Sequence, residues 1–376
     1  MVILNLKMDN ILLFDDFKIN FSYPIKLRNT IIKNENLEHF PNFRYKKLNI
    51  FLGANASGKT SLVTCMWRIL LFLRKKEKHY IEKIVNDVYE TSSIEIDLVE
   101  ENKEESFLYR IKIKTHYDNE LKITVSYKKI SLTNTSSYEN MVKLLDDEIY
   151  EFGDYLLVLE KLNLNIGWNI VLPGTESGFD KVNFLTIEKE NEKKEYLYIL
   201  SKIMKTLDPS ILEVTESKDI DNSYVINHEN KGKIIIPNGY KLSEIPYLSS
   251  GTKYGINITN IIFSIKNHYN GIYFIDEQFS YVNSDVEEAI LATMVSLLGP
   301  NEQLFFTTHN SNVLNLRFPF HSFYFMKKEV VNNKRVISVS CASEVENRNN
   351  VPAKSLLDND VFGTAPKLDR IFEIGE

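Results

Sequence analysis

Residues 51–62 read FLGANASGKTSL, and this stretch constrains the fold more than any other. Within it, Gly53 to Thr60 fits the pattern G-x-x-x-x-G-K-[ST]. The apolar run Lys47–Leu52 predicts a buried strand before the pattern, and apolar residues at helical spacing predict a helix over Ser61–Leu73. Backbone N–H groups of such a loop, together with the N-terminus of the following helix, attract phosphate. The sequence therefore predicts a phosphate-binding loop between a strand and a helix.

The ammonium group of Lys59 and the hydroxyl of Thr60 are groups that can bind the phosphates and metal ion of a nucleotide. Lys59 is expected to reach the β- and γ-phosphates, and Thr60 is expected to hold Mg²⁺. The alternative is a glycine turn followed by a chance Lys-Thr pair. Because a strand and a helix are predicted on either side, the functional interpretation is favoured.

A second pattern, Ile272–Glu277 (IYFIDE), predicts an apolar strand that ends in two carboxylates. Parallel sheets place their ligands at the carboxyl ends of strands. Asp276 is therefore expected beside Thr60 as a Mg²⁺ ligand, and Glu277 is expected to orient the attacking water. The alternative is a buried strand that meets a solvated acidic turn.

The functional interpretation of two weaker patterns depends on the other motifs in the chain. Leu248–Thr252 (LSSGT) opens a predicted helix and could hold an anion, although taken alone it is better explained as an ordinary N-cap. Phe305–Asn310 (FFTTHN) predicts a strand that ends at His309, whose neutral ring could donate to a γ-phosphate. A lone histidine is usually a structural residue, so the other motifs carry this assignment.

Strand-like runs at Ile94–Glu100, Ser106–Lys114 and Glu120–Lys128 are joined by polar turns and predict an antiparallel meander. From Tyr247 onward strands and helices alternate, which predicts a mostly parallel sheet covered on both faces. Together they predict an α/β fold.

In the middle of the chain the spacing of apolar residues predicts mainly helices. A helical stripe runs from Met141 to Leu159, a glycine- and proline-containing loop spans Gly167–Gly178, and a second amphipathic helix is predicted at Glu188–Leu207. We therefore expect an N-terminal lobe with the phosphate loop and antiparallel sheet, a mainly helical insertion, and a C-terminal lobe with the remaining motifs. The expected segments are 1–133, 134–232 and 233–376.

Composition narrows the functional classes. The net charge of the 376-residue chain is −6, so its whole surface is not built to attract nucleic acid. No membrane span or secretion signal is predicted, and two isolated cysteines fit a reducing cytoplasm. One basic cluster offers a nucleic-acid footprint, although cations at a helix C-terminus are also favoured by the helix dipole. Its members are Arg68, Arg74, Lys75, Lys76 and Lys78.

Taken together, the motifs resemble the ABC-type ATPase heads of SMC, RecF and Rad50 proteins, a P-loop NTPase fold. The resemblance is closest to the OLD-like, AAA-type ATP-binding proteins of bacterial phage-defence (abortive infection) systems. It covers both ends of the chain, while the middle matches only in layout. The matching stretches are FLGANASGKTSL (51–62), LDPSI (207–211), YLSSGTKYGI (247–256), YFIDE (273–277), FFTTHNSNVLNL (305–316) and FGTAPKLD (362–369).

The resemblance implies an ATPase that uses ATP and Mg²⁺. It implies catalytic roles for Lys59, Glu277 and His309, and metal-binding roles for Thr60 and Asp276. It also implies a head-to-tail dimer in which the signature residues of one subunit complete the ATP site of the other. The implied nucleotide-binding residues are Gly53, Asn55, Ser57, Gly58, Lys59, Thr60, Ser61, Ser249, Ser250 and Gly251.

For function, the resemblance implies a sensor or switch in phage defence that controls a separate effector, a nuclease or toxin. A DNA-repair ATPase of the RecF or Rad50 kind and a nucleotide-binding scaffold with little turnover are the alternatives. The chain departs from the family pattern in its glutamines, Gln278 and Gln303, which both follow the signature segment where a glutamine loop would precede it. The segment 278–285 lacks the Leu-His-Pro run of the defence group, and 310–376 lacks the carboxylate cluster of a nuclease.

Overall fold

The computed structural model describes most of the chain, and it divides into two compact units. The first unit contains residues 1–166 and 305–376, and the second contains residues 167–304. Among the residues described, no helix combines the length and apolar character needed to cross a membrane. The described residues are 1–26, 30–101, 105–146, 151–162, 164, 168–171, 187–220, 223–236, 250–269, 271–279, 282–331, 334–345, 352–364 and 373–375.

The described residues form strands, helices and short 3₁₀ turns. The strands are β1 (Val2–Asp9), β2 (Phe17–Asn20), β3 (Leu48–Leu52), β4 (Ser92–Glu101), β5 (Ser106–Asp118), β6 (Glu120–Ser131), β7 (Glu151–Asp154), β8 (Trp168–Val171), β9 (Ile211–Glu216), β10 (Tyr224–His228), β11 (Gly232–Ile236), β12 (Ile272–Asp276), β13 (Gln303–Thr307), β14 (Phe323–Val331) and β15 (Lys334–Cys341). The helices are α1 (Lys59–Lys75), α2 (His79–Glu82), α3 (Tyr138–Asp146), α4 (Tyr155–Leu162), α5 (Glu190–Leu207), α6 (Ser250–Lys266), α7 (Ser284–Leu297), α8 (Ala342–Val345) and α9 (Ala353–Asp358). The 3₁₀ turns are Ser311–Asn315, Phe320–Ser322 and Glu373–Gly375.

An antiparallel sheet in the order β2-β1-β4-β5-β6-β7 belongs to the first unit. Its central strands β4, β5 and β6 pair in chain order, which confirms the predicted meander. Isoleucines pair directly across β4 and β5, at Ile94–Ile113 and Ile96–Ile111, and all four are buried. Because side chains of a strand alternate between faces, this register buries one apolar face of the sheet.

A buried ion pair joins α3 to this sheet. Arg110 and Asp97 are cross-strand neighbours, and Arg110 donates to the two carboxylate oxygens at 2.7 and 2.8 Å. From α3, the Tyr138 hydroxyl donates to Asp97 at 2.5 Å, and Asp146 accepts from Arg110. Burial raises the pKa of the Asp97 carboxyl even though Arg110 and Tyr138 donate to it. A single polar network thus fixes where α3 packs.

The first unit also contains strands of a second sheet. β3 and β14 run parallel, and β15 pairs antiparallel with the other edge of β14. The C-terminal half of β13 lies next to β3, where the Thr308 N–H donates to the Phe51 carbonyl at 3.2 Å. Every residue of β3 is buried, as expected for a strand covered on both faces.

In the second unit α5 packs against α6. A Cβ atom on Gly255 would lie only 2.8 Å from Leu207 Cδ1 and 3.0 Å from Met204 Sδ, so glycine permits this close approach. The buried Tyr196 hydroxyl donates to Asn260 at 2.6 Å and links the two helices. The unit also holds a three-stranded sheet, β11-β10-β9, and a parallel pair, β12 with β8.

Two local predictions for the middle of the chain were wrong. The helical stripe from Met141 to Leu159 is interrupted, because β7 separates α3 from α4 and pairs with β6. Both helices pack against β6, but Leu144, Phe152 and Leu156 of the predicted stripe are exposed. The predicted loop at Gly167–Gly178 contains β8, and its remaining residues lie outside the described ones. The expected three-segment division stays a prediction.

Candidate functional site

The predicted phosphate loop occupies residues 53–58, between the end of β3 and the start of α1. Ala56 and Gly58 have φ angles of 62° and 100°, and the Ser57 N–H donates back to the Ala54 carbonyl at 3.2 Å. No side chain caps the N-terminus of α1, and its first turn contains no acidic residue. The positive end of the helix dipole is therefore not offset by a local carboxylate, which suits an anion.

Two positions of the loop require glycine for packing reasons. A Cβ atom on Gly53 would lie 2.3 Å from the Met326 carbonyl oxygen of β14. A Cβ atom on Gly58 would lie 2.5 Å from Ile337 Cδ1 of β15, in a left-handed conformation that side chains rarely adopt. Strands β14 and β15 thus pack so closely against the loop that only glycine fits at these two positions.

Lys59 and His309 lie 250 residues apart in the sequence and are neighbours in the structure. Lys59 Nζ lies 3.4 Å from His309 Nδ1 and donates to the carbonyls of Gly53 and Ala54 at 2.9 and 3.3 Å. His309 is exposed and follows the end of β13, which the Thr308–Phe51 bond holds beside β3. Two of the predicted catalytic residues therefore meet at the loop.

The remaining loop residues differ in exposure. Ser57 is 3% exposed, and its buried hydroxyl has no hydrogen-bond partner among the described residues. Asn55 and Thr60 are exposed, and Ser61 is half-buried. A glycine-rich curl with a lysine, an exposed threonine and an orphaned hydroxyl fits the chemistry of a phosphate group and its metal ion.

The predicted carboxylates lie at the end of β12 in the second unit, where Asp276 is the last residue of the strand and Glu277 follows it. Asp276 is fully buried, whereas Glu277 is half-buried and has a φ angle of 47°. The predicted position of Asp276 beside Thr60 stays a prediction. No group of three or more His, Cys, Asp or Glu side chains that could hold a metal occurs in the described part of the chain. Mg²⁺ usually needs only one or two protein ligands beside phosphate oxygens.

The signature residues are only partly described. Ser249 lies outside the described residues, whereas Ser250 and Gly251 lie in the first turn of α6. Their role toward a partner subunit stays a prediction.

Sequence reasoning missed the residues that shape the loop from outside it, Met326 and Ile337. Ile337 belongs to an alternating run, but nothing in that run indicates which glycine it contacts. The sequence identifies Gln278 only as a glutamine outside the expected glutamine loop.

No protein-family model and no curated protein match this chain. Solved structures do match its fold. A structure of the SmcHead bound to the C-winged helix domain of ScpA is 12% identical, covers 92% of this chain and 100% of its own, and gives a TM-score of 0.54. An Smc head domain with an extended coiled coil, bound to the C-terminal domain of ScpA derived from Pyrococcus furiosus, is 12% identical, with coverages of 95% and 98% and a TM-score of 0.50. The chain therefore has the fold of SMC head domains, which confirms the predicted ABC-type α/β class.

Proposed function

We propose that this chain is an ATPase that binds ATP and Mg²⁺ at the loop Gly53–Thr60 and hydrolyses the nucleotide. The observation that carries the proposal is the meeting of Lys59 and His309 at a glycine loop on an uncapped helix N-terminus. Such a loop offers backbone N–H groups to the phosphates, and Lys59 adds a positive charge.

Lys59, His309 and Thr60 have different roles in binding the nucleotide. Lys59 Nζ exchanges its bonds to the Gly53 and Ala54 carbonyls for phosphate oxygens. His309 donates a hydrogen bond to the terminal phosphate, and Thr60 contributes its hydroxyl to the metal. Bound Mg²⁺ supplies charge neutralisation of the phosphate oxygens.

Roles for the second unit follow from the resemblance described above. Asp276 is the second metal-binding residue, and Glu277 orients the attacking water. Ser249, Ser250 and Gly251 complete the ATP site of a second subunit, so that ATP holds two copies of the chain together. Hydrolysis removes that link.

The matching motifs also suggest the biological role, which we propose to be a sensor or switch in anti-phage defence. It would act in the cytoplasm on a separately encoded effector, a nuclease or toxin. The alternative is a DNA-repair ATPase of the RecF or Rad50 kind, favoured by the exposed Arg74 and Lys75 at the end of α1. Lys78 of the same cluster pairs with Glu82 and Glu120 at 3.4 and 3.7 Å, which supports a structural role instead.

The first test compares Lys59→Ala with Lys75→Ala, an exposed lysine at the other end of the same helix. A charge-assisted hydrogen bond contributes about 1.5–3 kcal/mol, so Lys59→Ala should weaken ATP binding roughly 10- to 150-fold. Lys75→Ala should bind like wild type. Titration with a fluorescent ATP analogue gives the dissociation constants, and equal affinities for all three proteins would refute the phosphate site.

The second test addresses the ATP-linked dimer. Glu277→Gln should bind ATP, hydrolyse it slowly and accumulate a dimer whose mass is measured by light scattering with and without ATP. Adding Ser249→Arg should restore the monomer, because the bulky side chain blocks the phosphate-facing surface. If Glu277→Gln hydrolyses ATP at the wild-type rate, the water is oriented by another residue.

The third test separates the two biological roles. Cells carrying the chain and its neighbouring genes should resist phage, and Lys59→Ala should abolish that resistance. If resistance is absent and duplex DNA instead stimulates ATP turnover, the repair role is the correct one.

A further inference from the structure

We infer that Gln278 is a positioning residue for Glu277: its side-chain amide holds the Asp276 peptide and so fixes the backbone that directs the Glu277 carboxylate. The inference rests on the proposed ATPase function, in which Glu277 orients the attacking water. The inference also explains the presence of Gln278 after these carboxylates, where the family pattern has no glutamine.

The backbone at Glu277 is unusual. Its φ angle of 47° lies in the left-handed region, which residues other than glycine, asparagine and aspartate seldom adopt. A glutamate in this conformation persists only where its surroundings hold it, and such residues cluster at functional sites. Something next to Glu277 must therefore stabilise the turn.

The side chain of Gln278 provides that support. It is 1% exposed, and its Nε2 atom donates to the Asp276 carbonyl oxygen at 2.9 Å. This bond connects the residues on either side of Glu277. Without it, the 276–277 peptide could rotate and Glu277 could return to an ordinary right-handed or extended conformation.

The other half of the same amide indicates that stability is not the reason for a glutamine here. A carbonyl oxygen accepts hydrogen bonds only, so Gln278 must turn its NH₂ group toward Asp276. Its Oε1 atom is then buried, and no donor among the described residues reaches it. A buried oxygen without a donor is unfavourable, and an apolar side chain would avoid that cost.

A fixed carboxylate matters for the proposed chemistry. A displacement of about 1 Å in a catalytic group can cost roughly 100-fold in rate. Loss of the Gln278 bond should therefore reduce turnover and leave ATP affinity unchanged, because the bond that is lost joins Gln278 to the backbone beside Glu277.

The experiment uses Gln278→Met, which has similar length and no donor, and Gln278→Glu, which has nearly the same shape and, while its carboxylate is ionised, only acceptors. The matched control is Thr259→Val, which removes another buried side-chain bond to a carbonyl of the same unit, from Thr259 Oγ1 to Gly255 at 2.7 Å. For each protein kcat, the ATP dissociation constant and the thermal midpoint are measured. Both Gln278 variants should lose about 10- to 100-fold in kcat with unchanged ATP affinity. Thr259→Val should lower only the midpoint.

Combining Gln278→Met with Glu277→Gln decides whether the residue acts through Glu277. The double variant should turn over no more slowly than Glu277→Gln alone, because the carboxylate to be positioned is already gone. Additive losses, or wild-type kcat in both Gln278 variants while Glu277→Gln is slow, would overturn the inference and leave the proposed function standing. Absence of turnover in the wild type would overturn both.

Discussion

Replacing Gly58 by alanine tests whether β15 shapes the phosphate loop. Two separate effects are expected at this position. The left-handed backbone of Gly58, with φ of 100°, costs an alanine about 1–2 kcal/mol. The added methyl group also meets Ile337 Cδ1 at 2.5 Å, and such overpacking costs about 1–3 kcal/mol. Gly58→Ala should therefore lower the free energy of unfolding by about 2–5 kcal/mol and weaken ATP binding, because the curl of the loop is disturbed.

A second substitution separates the two effects. Ile337→Val deletes the Cδ1 atom that the new methyl group would meet, and alone it should cost about 0.5–1.5 kcal/mol. In the double variant the overpacking disappears, so the two changes should show a favourable coupling of about 1–3 kcal/mol. The backbone cost remains. Gly232→Ala is the matched control, since Gly232 has φ of 70° and, its chain neighbours aside, no atom of the described residues lies within 4 Å of the added methyl group.

Urea unfolding of the four proteins and the control gives the required free energies, and the fluorescent ATP analogue gives the affinities. Gly232→Ala should lose only the backbone contribution and should not be improved by Ile337→Val. The reasoning fails if Gly58→Ala unfolds like wild type. It also fails if Ile337→Val recovers nothing, because β15 would then not be the element that confines the loop.

Three further predictions concern stability. Arg110→Met should lower the free energy of unfolding by about 3–5 kcal/mol, because it leaves the Asp97 charge buried without its partner; a loss below about 1 kcal/mol would contradict a buried pair. Burial opposes ionisation of Glu95, but the bond from Lys7 and the charge of Arg110 lower the pKa of its carboxyl below 4.5. The ionised Glu95 carboxylate therefore contributes to the free energy of unfolding above pH 4.5, and this contribution is lost as pH falls through the lowered pKa. Glu95→Gln should flatten the acid side of the curve of stability against pH. An unchanged curve would show that other carboxylates dominate. Tyr196→Phe should cost about 1–3 kcal/mol by leaving Asn260 without its donor, and an unchanged urea midpoint would contradict that bond.

The local elements around the site could be predicted from the amino-acid sequence alone. Residues 53–60 are contiguous, and the apolar patterns on either side record burial and helical hydrogen bonding within a few residues of each other. The same is true of the meander β4–β6, because alternation and polar turns are local properties. The loop, its strand and its helix could therefore be placed without any knowledge of the rest of the chain.

Which distant residues contact these elements depends on the three-dimensional packing of the chain. Lys59 and His309 are neighbours because β13 ends beside β3, and strand order is not written in either local pattern. Periodicity also failed at β7, since the spacing of apolar residues does not show that residues 151–154 pair with β6 as a strand. The glycines of the loop show the same difference between local and tertiary information. The motif gives their positions in the sequence, but glycine is needed there because of the Met326 backbone and the Ile337 side chain. Contacts of this kind depend on close packing between segments far apart in the chain, which local hydrogen bonding and burial do not encode.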